Sequence, residues 1–303
     1  MKIETSVLDE SGNFVGGLTQ SSFQVLDAGV GQPIIFFAPV EAPAQVLVLL
    51  ETSPAVYLIS DQHLAAAYAL LEGLAPDDEV ALVTYDVAPR PVLAFTADKS
   101  AFAAALGEAQ YTLGMGDLNF YDSLSTALDW LSPVTGKKAI VVISTGLDSS
   151  PPGHWESLLR KIRGEDVVIF SVVLGSALRE APAKKSKPRK SPSAGGSSDS
   201  DLAAQKISEA EFAKAGDALH TLATLTGGRA YFPQSEKDFA TIYREVAVAL
   251  RHEYVLGIAP AHDNQFHALN VEVLGGSGQP DTKQSSKQRY RILSRTGYLA
   301  PAP

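Results

Sequence analysis

Short, continuous apolar runs separated by helix-like segments constrain the fold of this chain more than any other feature of its sequence. The segments QVLVLL (45–50), KAIVVIST (138–145) and DVVIFSVVL (166–174) lack the alternation of a half-exposed strand and are typical of strands covered on both faces. Between such runs, apolar residues recur at helical spacing, as in SDQHLAAAYALLEGL (60–74). This alternation predicts an α/β protein with a doubly wound, mostly parallel sheet and helices on both faces.

The same patterns predict the other regular elements of the central region. A helix that runs into a strand is predicted at 238–260. Further strands are predicted at 79–86, 91–96 and 229–232, and further helices at 98–109, 120–131, 154–162 and 211–228.

Both ends of the chain are rich in predicted strands. Residues 1–40 contain short alternating stretches broken by turns, and the segments 266–274 and 288–301 alternate like a hairpin pair. Each end is too small to fold alone, so we expect the two ends to form one small β-sandwich-like domain. The predicted divisions are an N-terminal β-segment at 1–42, an α/β domain at 43–258 and a C-terminal β-segment at 259–303.

Residues 180–204 interrupt the pattern of strands and helices. Five basic residues within 184–190 precede a Gly/Ser run without an apolar anchor, which predicts a flexible, solvated loop. The alternative is that this basic cluster contacts an anionic partner. No aromatic residue interleaves the charges, which favours the solvated loop.

Composition excludes several classes of function. The net charge of −9 and the pI near 5.2 argue against a general affinity for nucleic acid. There is no cysteine, which excludes disulfides, thiol catalysis and thiolate metal sites. No apolar run reaches the roughly 18–20 residues needed to span a bilayer. The start of the sequence has no apolar signal-peptide core, so we expect a cytoplasmic protein or a processed form.

Several motifs recur in the order found in one group of proteins. The segment GNFVGGLTQSSFQVLDAGVGQPI (12–34) precedes the α/β region, and LATLTGGRAYF (222–232), YVLGIAP (254–260) and RTGYLAP (295–301) follow it. Together with VLVLLETSPA, FYDSLSTAL and AIVVISTGLDSS, they make the chain similar to von Willebrand factor A (VWA) domain proteins. More narrowly, it resembles the acidobacterial VWA-related family. The resemblance covers nearly the whole chain and implies a VWA fold, but it says little about activity.

VWA domains often carry a metal-ion-dependent adhesion site (MIDAS) at the carboxyl end of the sheet. The resemblance implies a D-x-S-x-S motif on the first loop, a threonine on the second and an aspartate on the third, all oxygen ligands suited to Mg²⁺. This sequence departs from the pattern. The five corresponding positions are Glu51, Ser53, Ala55, Leu118 and Thr145. Because both aspartates and two hydroxyl residues are replaced, we predict a degenerate site and no bound cofactor.

An alternative metal site uses neighbouring carboxylates. Asp117 and Asp148 lie close in sequence to the second and third MIDAS positions and could join Glu51 and Ser53 around Mg²⁺ or Mn²⁺. The simpler interpretation of Asp148 is that it braces its loop by accepting backbone N–H bonds. Asp122 similarly fits a cap or brace at the start of its helix.

No catalytic motif accompanies this scaffold. The G-x-S-x-G, G-x-x-x-x-G-K-[ST] and H-E-x-x-H patterns are missing, and GMGDLN (114–119) lacks the third glycine of a dinucleotide fingerprint. The histidines are scattered, and His252 has no evident acidic partner in sequence. His262 and His267 flank Asp263 at a spacing that could bind a metal, although a solvated turn is the simpler interpretation. We therefore expect no catalytic residues and no enzymatic activity.

The sequence thus favours a non-enzymatic module that binds another protein through the loops 51–56, 114–119 and 145–152. The candidate interaction face consists of Glu51, Thr52, Ser53, Asp117, Asn119 and Asp148. The alternatives are metal-dependent adhesion through the variant site and docking through the basic loop. The family resemblance implies a secreted or periplasmic protein, with a cytoplasmic location as the alternative.

Overall fold

The computed structural model describes residues 1–57, 60–112, 117–151, 153–174, 209–274 and 290–303. The predicted basic loop at 180–204 and the first three residues of the segment GMGDLN lie outside the described residues.

A six-stranded, mostly parallel sheet forms the centre of the molecule. Its strands lie in the order β10-β9-β8-β5-β6-β7, and only the edge strand β7 runs antiparallel to its neighbour. The strands are β5 (Ala44–Glu51), β6 (Glu79–Tyr85), β7 (Pro89–Thr96), β8 (Lys137–Ser144), β9 (Val168–Val173) and β10 (Ala230–Tyr231). This arrangement confirms the fold class predicted from the sequence.

Helices cover both faces of this sheet because consecutive residues of a strand point to opposite sides. On β5, Val46 and Val48 belong to one buried cluster, and Leu47 and Leu49 belong to the other. The helices are α1 (Pro54–Tyr57), α2 (Ser60–Gly73), α3 (Lys99–Gly107), α4 (Phe120–Leu131), α5 (His154–Gly164), α6 (Glu209–Thr226) and α7 (Phe239–Arg251). Residues of α2, α3 and α7 complete the first cluster, and residues of α4, α5 and α6 complete the second.

Strands from both ends of the chain form two further antiparallel sheets, in the orders β13-β1-β11-β4 and β14-β12-β2-β3. These strands are β1 (Lys2–Leu8), β2 (Phe23–Asp27), β3 (Val30–Gln32), β4 (Phe36–Glu41), β11 (His252–Gly257), β12 (Phe266–Val273), β13 (Arg291–Ser294) and β14 (Gly297–Leu299). The two sheets share one buried cluster, in which Ile3 and Tyr254 of the first sheet join Val25 and Val271 of the second. The packing of the two ends expected from the sequence is therefore present.

Two details of the terminal strands differ from the sequence prediction. β11 pairs with β1 and β4 in a terminal sheet, so the α/β unit ends with α7 and does not extend to residue 258. β13 and β14 do not form a simple hairpin unit with β12, because β13 pairs with β1 in the other sheet. Pairing across sheets depends on tertiary contacts that the alternation of apolar residues does not encode.

The glycine pair in LATLTGG allows the backbone to pack closely against both the terminal and the central units. Gly227 has a φ of +87°, and a Cβ atom there would lie 2.6 Å from the Arg295 nitrogen. A Cβ atom on Gly228 would lie 2.0 Å from the carbonyl oxygen of Ile169 in β9. Only glycine fits both positions without moving the backbone, which explains this part of the motif.

No helix among the described residues is long and apolar enough to cross a membrane. Because β5, β6 and β8 run parallel, their carboxyl ends meet at one edge of the sheet. The loops that leave this edge carry the residues predicted to form the site.

Candidate interaction face

A buried carboxylate lies at the centre of the predicted site. Glu51 ends β5, and its side chain is inaccessible to solvent. Its Oε2 atom accepts hydrogen bonds from the Thr145 backbone N–H at 2.7 Å, the Thr145 hydroxyl at 2.8 Å and the Ser144 hydroxyl at 2.9 Å. Its Oε1 atom accepts a short hydrogen bond from the Ser53 hydroxyl. Four protein donors therefore bind the carboxylate, three of them at Oε2 and one at Oε1.

Tyr85 extends this network to β6. The Tyr85 hydroxyl lies 2.6 Å from Ser144 Oγ and 3.4 Å from Glu51 Oε2. Since the Ser144 proton is directed at Glu51, Tyr85 donates its own proton to Ser144 in the shorter of these two contacts. Burial, together with the nearby charge of Glu51, raises the pKa of Tyr85 well above its usual value. The phenol therefore remains a protonated donor at neutral pH.

Three of the five positions that correspond to a MIDAS belong to this hydrogen-bond network. The side chains of Glu51, Ser53 and Thr145 bind one another, whereas Ala55 and Leu118 have no side-chain oxygen to offer. Among the described residues, Glu51 forms no ion pair with a basic side chain. Hydroxyl and backbone N–H dipoles take the place of a cation in stabilising its buried charge.

A second carboxylate, which the sequence analysis did not select, lies at the end of the neighbouring strand. Asp86 accepts hydrogen bonds from the Thr112 hydroxyl, from the backbone of Val87 and from Arg90, whose guanidinium lies at 2.7 Å. Burial tends to raise the pKa of Asp86, but the hydrogen bonds from Arg90 and Thr112 outweigh it and lower the pKa. Its sequence signal is the acid that ends EVALVTYD, directly after a buried strand.

Direct hydrogen bonds join the loops at this edge. The Leu118 N–H donates to Ser149 Oγ at 2.6 Å, and the Ser149 N–H donates to the Leu118 carbonyl at 2.7 Å. The Asn119 side chain donates to the carbonyl of Val87 at 2.7 Å, and the Thr112 N–H donates to the carbonyl of Thr52 at 2.9 Å. Protein groups thus make the connections between loops that a metal ion makes in a MIDAS.

Asp148 braces the third loop. Its Oδ1 atom accepts from the Tyr121 backbone N–H at 3.0 Å, and its Oδ2 atom accepts from the Ser150 N–H at 2.8 Å. This is the geometry of the simpler interpretation of Asp148. Asp122, in contrast, does not cap α4. It pairs with His154 at 2.7 Å and so links the start of α4 to the start of α5.

The expected contact role of three residues is corrected by their burial. Glu51, Thr52 and Ser53 are each 0% exposed, so they cannot touch a partner in this conformation. Thr52 instead donates both its N–H and its hydroxyl to the Tyr85 carbonyl, at 2.7 and 3.1 Å. Asp117 is exposed, and Asn119 and Asp148 are half-buried. The buried trio therefore supports the loops, and the outer residues form the accessible face.

The variant metal site is not assembled. Among the residues described, no three His, Asp or Glu side chains are grouped so that they could hold a metal ion. The Glu51 oxygens accept from Ser53, Ser144 and Thr145, and the Asp148 oxygens accept from the N–H groups of Tyr121 and Ser150.

Besides His154, two further histidines have acidic side chains as partners. His252 lies 3.8 Å from Glu41. His267 does not lie in a solvated turn as expected. It bridges Asp27 at 2.7 Å and Asp263 at 3.0 Å, through opposite ring nitrogens. His262 and His220 are exposed, and the side chain of His63 lies outside the described part of the chain.

Comparison with known proteins yields similarity in solved structures alone. No protein-family model matches the chain, and no curated protein matches it. BatB, a conserved hypothetical protein from Bacteroides thetaiotaomicron, is 13% identical over 69% of this chain and 98% of that chain, with a TM-score of 0.44. A von Willebrand factor type A protein from Catenulispora acidiphila is 10% identical over 99% of this chain and 74% of that chain, with a TM-score of 0.48.

A third similar structure is that of proximal thread matrix protein 1 from the mussel byssus, described as having a zinc-occupied MIDAS motif. It is 16% identical over 72% of this chain and 49% of that chain, with a TM-score of 0.46. In the present chain, one antiparallel edge strand flanks five parallel strands, helices cover both faces, and the degenerate motif follows the central strand β5. This mixed α/β architecture, with a mostly parallel sheet, is consistent with the von Willebrand factor A-like fold that the sequence resemblance implies.

Proposed function

We propose that this protein is a non-enzymatic module that binds another protein through the loops at the carboxyl edge of its central sheet, without a metal ion. The observation that carries the proposal is the hydrogen bonding of Glu51, whose Oε2 atom accepts three bonds and whose Oε1 atom accepts one. All four hydrogen bonds to its carboxylate come from the protein itself. A divalent cation would have to displace these donors before it could use the oxygens.

The outer surface of the same loops supports a binding role. Asp117 and Ser149 are exposed, and Asn119, Asp148 and Ser150 are half-buried beside them. The hydrogen bonds between loops hold these side chains in a fixed arrangement, and preorganisation lowers the entropy lost on binding. Scaffolds of rigid strands that present loops are a common basis for recognition.

A protein that works in this way needs no cofactor, and we infer that it performs no chemistry. The resemblance to VWA-related proteins supports a secreted or periplasmic location. Metal-dependent adhesion through Glu51, Ser53, Asp117 and Asp148 is the competing function.

Thermal melting and partner capture distinguish the two functions. The midpoint of thermal unfolding should be the same in EDTA and in millimolar Mg²⁺, Mn²⁺ or Ca²⁺ if none of these ions binds. A ligand that binds only the native state would raise the midpoint. Partners captured on the immobilised protein should survive EDTA and be lost with Asp117→Lys and Ser149→Lys. The matched control is Glu10→Lys, an exposed change in a terminal sheet segment. A midpoint that rises with one ion, or capture abolished by EDTA, supports the competing function.

A further inference from the structure

An open groove of about 490 Å³ lies beside the third loop, between the starts of α4 and α5 and the outer face of α6. Its lining includes Tyr121, Asp148, Trp155, Glu156, Lys214 and Asp217. Because Asp148 also belongs to the accessible interaction face, the groove is continuous with that face.

Two aromatic rings form one wall of the groove. The Tyr121 and Trp155 ring centroids lie 5.2 Å apart with an interplanar angle of 48°, so the rings hold each other in place. Both side chains are half-buried. Their faces can therefore attract a cation through the negative charge of the ring quadrupole.

Carboxylates line the rest of the groove. Asp148, Glu156 and Asp217 contribute three negative charges, and Lys214 contributes one positive charge, so the lining carries two negative charges in excess. Glu156 and Asp217 are exposed, and their side chains are able to reorient towards a ligand. Burial, and then the nearby charges of Asp148 and Glu156, raise the pKa of Tyr121.

We propose that this groove binds an arginine side chain presented by the partner protein. A guanidinium is planar, stacks on aromatic faces and donates in pairs to carboxylates, so it matches both walls at once. An ammonium matches the charge alone, and a neutral side chain matches the rings alone. The inference rests on the proposed function, because it names the partner chemistry at the edge of the same face.

Tryptophan fluorescence of this chain provides a direct test. The chain contains two tryptophans, so Trp130→Phe leaves Trp155 as the single reporter. The probe is the peptide acetyl-Gly-Arg-Gly-Arg-Gly-amide, and the matched peptide carries citrulline, the neutral isostere of arginine. Titration of the arginine peptide should quench Trp155 and saturate, and the citrulline peptide should bind at least about fivefold more weakly.

Variants of opposite charge sharpen the test. Asp217→Asn with Glu156→Gln should weaken the arginine peptide roughly three- to tenfold, whereas Lys214→Gln should strengthen it about two- to threefold. Glu10→Gln has the same effect on net charge as one of the acidic changes, but it lies in a terminal segment and should leave the affinity unchanged. Equal binding of both peptides, or equal weakening by Glu10→Gln, would overturn the proposal.

The outcomes separate this inference from the proposed function. Loss of partner capture with Asp117→Lys, together with failure of the arginine peptide to bind, leaves the interaction module intact and removes the arginine site. If the peptide binds but partner capture requires a metal ion, the arginine site is supported and the metal-free interaction module is refuted.

Discussion

Thr145 donates both its backbone N–H and its hydroxyl to the same oxygen of Glu51, at 2.7 and 2.8 Å. Ser144 adds a third bond to that oxygen. The ends of β5 and β8 are therefore joined by three hydrogen bonds to one atom, at a place where related folds can use a metal ion. The family resemblance implies aspartates at these two positions. In this chain, Thr145 on the third loop supplies donors, and Glu51 at the end of β5 supplies an acceptor long enough to meet them.

Removing both carboxylate oxygens of Glu51 should destabilise the fold more than removing only its charge. Glu51→Leu removes the acceptor of the Thr145 N–H and of the Ser53, Ser144 and Thr145 hydroxyls, all of them buried, so we expect a loss of about 2–5 kcal/mol in the free energy of unfolding. Glu51→Gln keeps one carbonyl oxygen for those donors, and its amide can donate to Ser53, so the loss should be about 1 kcal/mol. Urea denaturation of both variants measures the difference.

The exposed variant Asp117→Asn serves as the control and should change stability by less than about 0.5 kcal/mol. If Glu51→Leu also falls within this limit, the hydrogen-bond network around Glu51 does not form.

Restoration of the MIDAS residues should create a metal response that the native chain lacks. The combined changes Glu51→Asp, Ala55→Ser, Leu118→Thr and Thr145→Asp supply two short carboxylates and two hydroxyls. Millimolar Mg²⁺ should then raise the melting midpoint of the variant by several degrees and leave that of the native protein unchanged.

Adding Ser53→Ala to the restored set should abolish the response, because it removes one oxygen ligand. Circular dichroism in EDTA establishes whether the restored variant is folded before the ion is added. If it is not, the double change Glu51→Asp with Thr145→Asp provides the same comparison. An equal response in the native chain would contradict the interpretation of a degenerate site.

The sequence predicted those features that depend on local pattern. The helix expected at 120–131 has those bounds in the structure, and the strand expected at 138–145 lies at Lys137–Ser144. Apolar spacing within a segment determines which of its faces is buried, and burial largely determines its secondary structure. The mostly parallel character of the central sheet followed from the alternation of strands and helices, whereas the order of its strands was not predicted.

The burial of the predicted site could not be inferred from the sequence. Ser144 and Thr145 lie 93 and 94 residues further along the chain than Glu51, and the sequence does not show that they donate hydrogen bonds to its carboxylate. His267 illustrates the same limit, because its partner Asp27 lies 240 residues away. Asp86 was overlooked because no MIDAS position corresponds to it, although an acid at the end of a buried strand is a usable signal.

A half-buried acid of β1, Glu4, should make stability depend on pH. Burial, and then the charges of Glu253 and Asp166, raise the pKa of Glu4 to about 7 from 4.5, although Lys137 and Arg295 oppose the shift. The folded state therefore binds more protons than the unfolded state between these values, and stability falls as pH rises from about 4.5 to above 7.

Glu4→Gln removes the ionisation and should raise the free energy of unfolding at pH 8 by about 1–3 kcal/mol, with little change at pH 4.5. Denaturation curves at the two pH values test this expectation. Glu10→Gln is the matched control because Glu10 is an exposed acid of the same N-terminal segment. A gain of equal size at both pH values would indicate a packing effect and contradict the titration of Glu4.

His267 should add a second pH dependence, located within the terminal sheets. It joins Asp27 at the end of β2 to Asp263 in the loop before β12, and the Tyr298 hydroxyl donates to the other oxygen of Asp27 at 2.8 Å. The hydrogen bonds to Asp263 and Asp27 raise the pKa of His267 above 6.5, against the effect of burial. The protonated imidazole can donate to both carboxylates, whereas the neutral ring has one N–H and can donate to only one.

Because the folded-state pKa is raised, the stabilisation by His267 is fully present below about pH 6.5 and is lost as pH rises through the folded-state value. In the Glu4→Gln background, which removes the titration of Glu4, the melting midpoint should decrease as the pH rises from 5.5 to 8.5. Adding His267→Gln should flatten that fall, since glutamine cannot gain the second donor on acidification. Asp263→Asn should reduce the fall and keep some of it, because Asp27 continues to pair with the ring. If the midpoint changes with pH equally in the presence and absence of His267, the bridge between the two aspartates does not carry a proton.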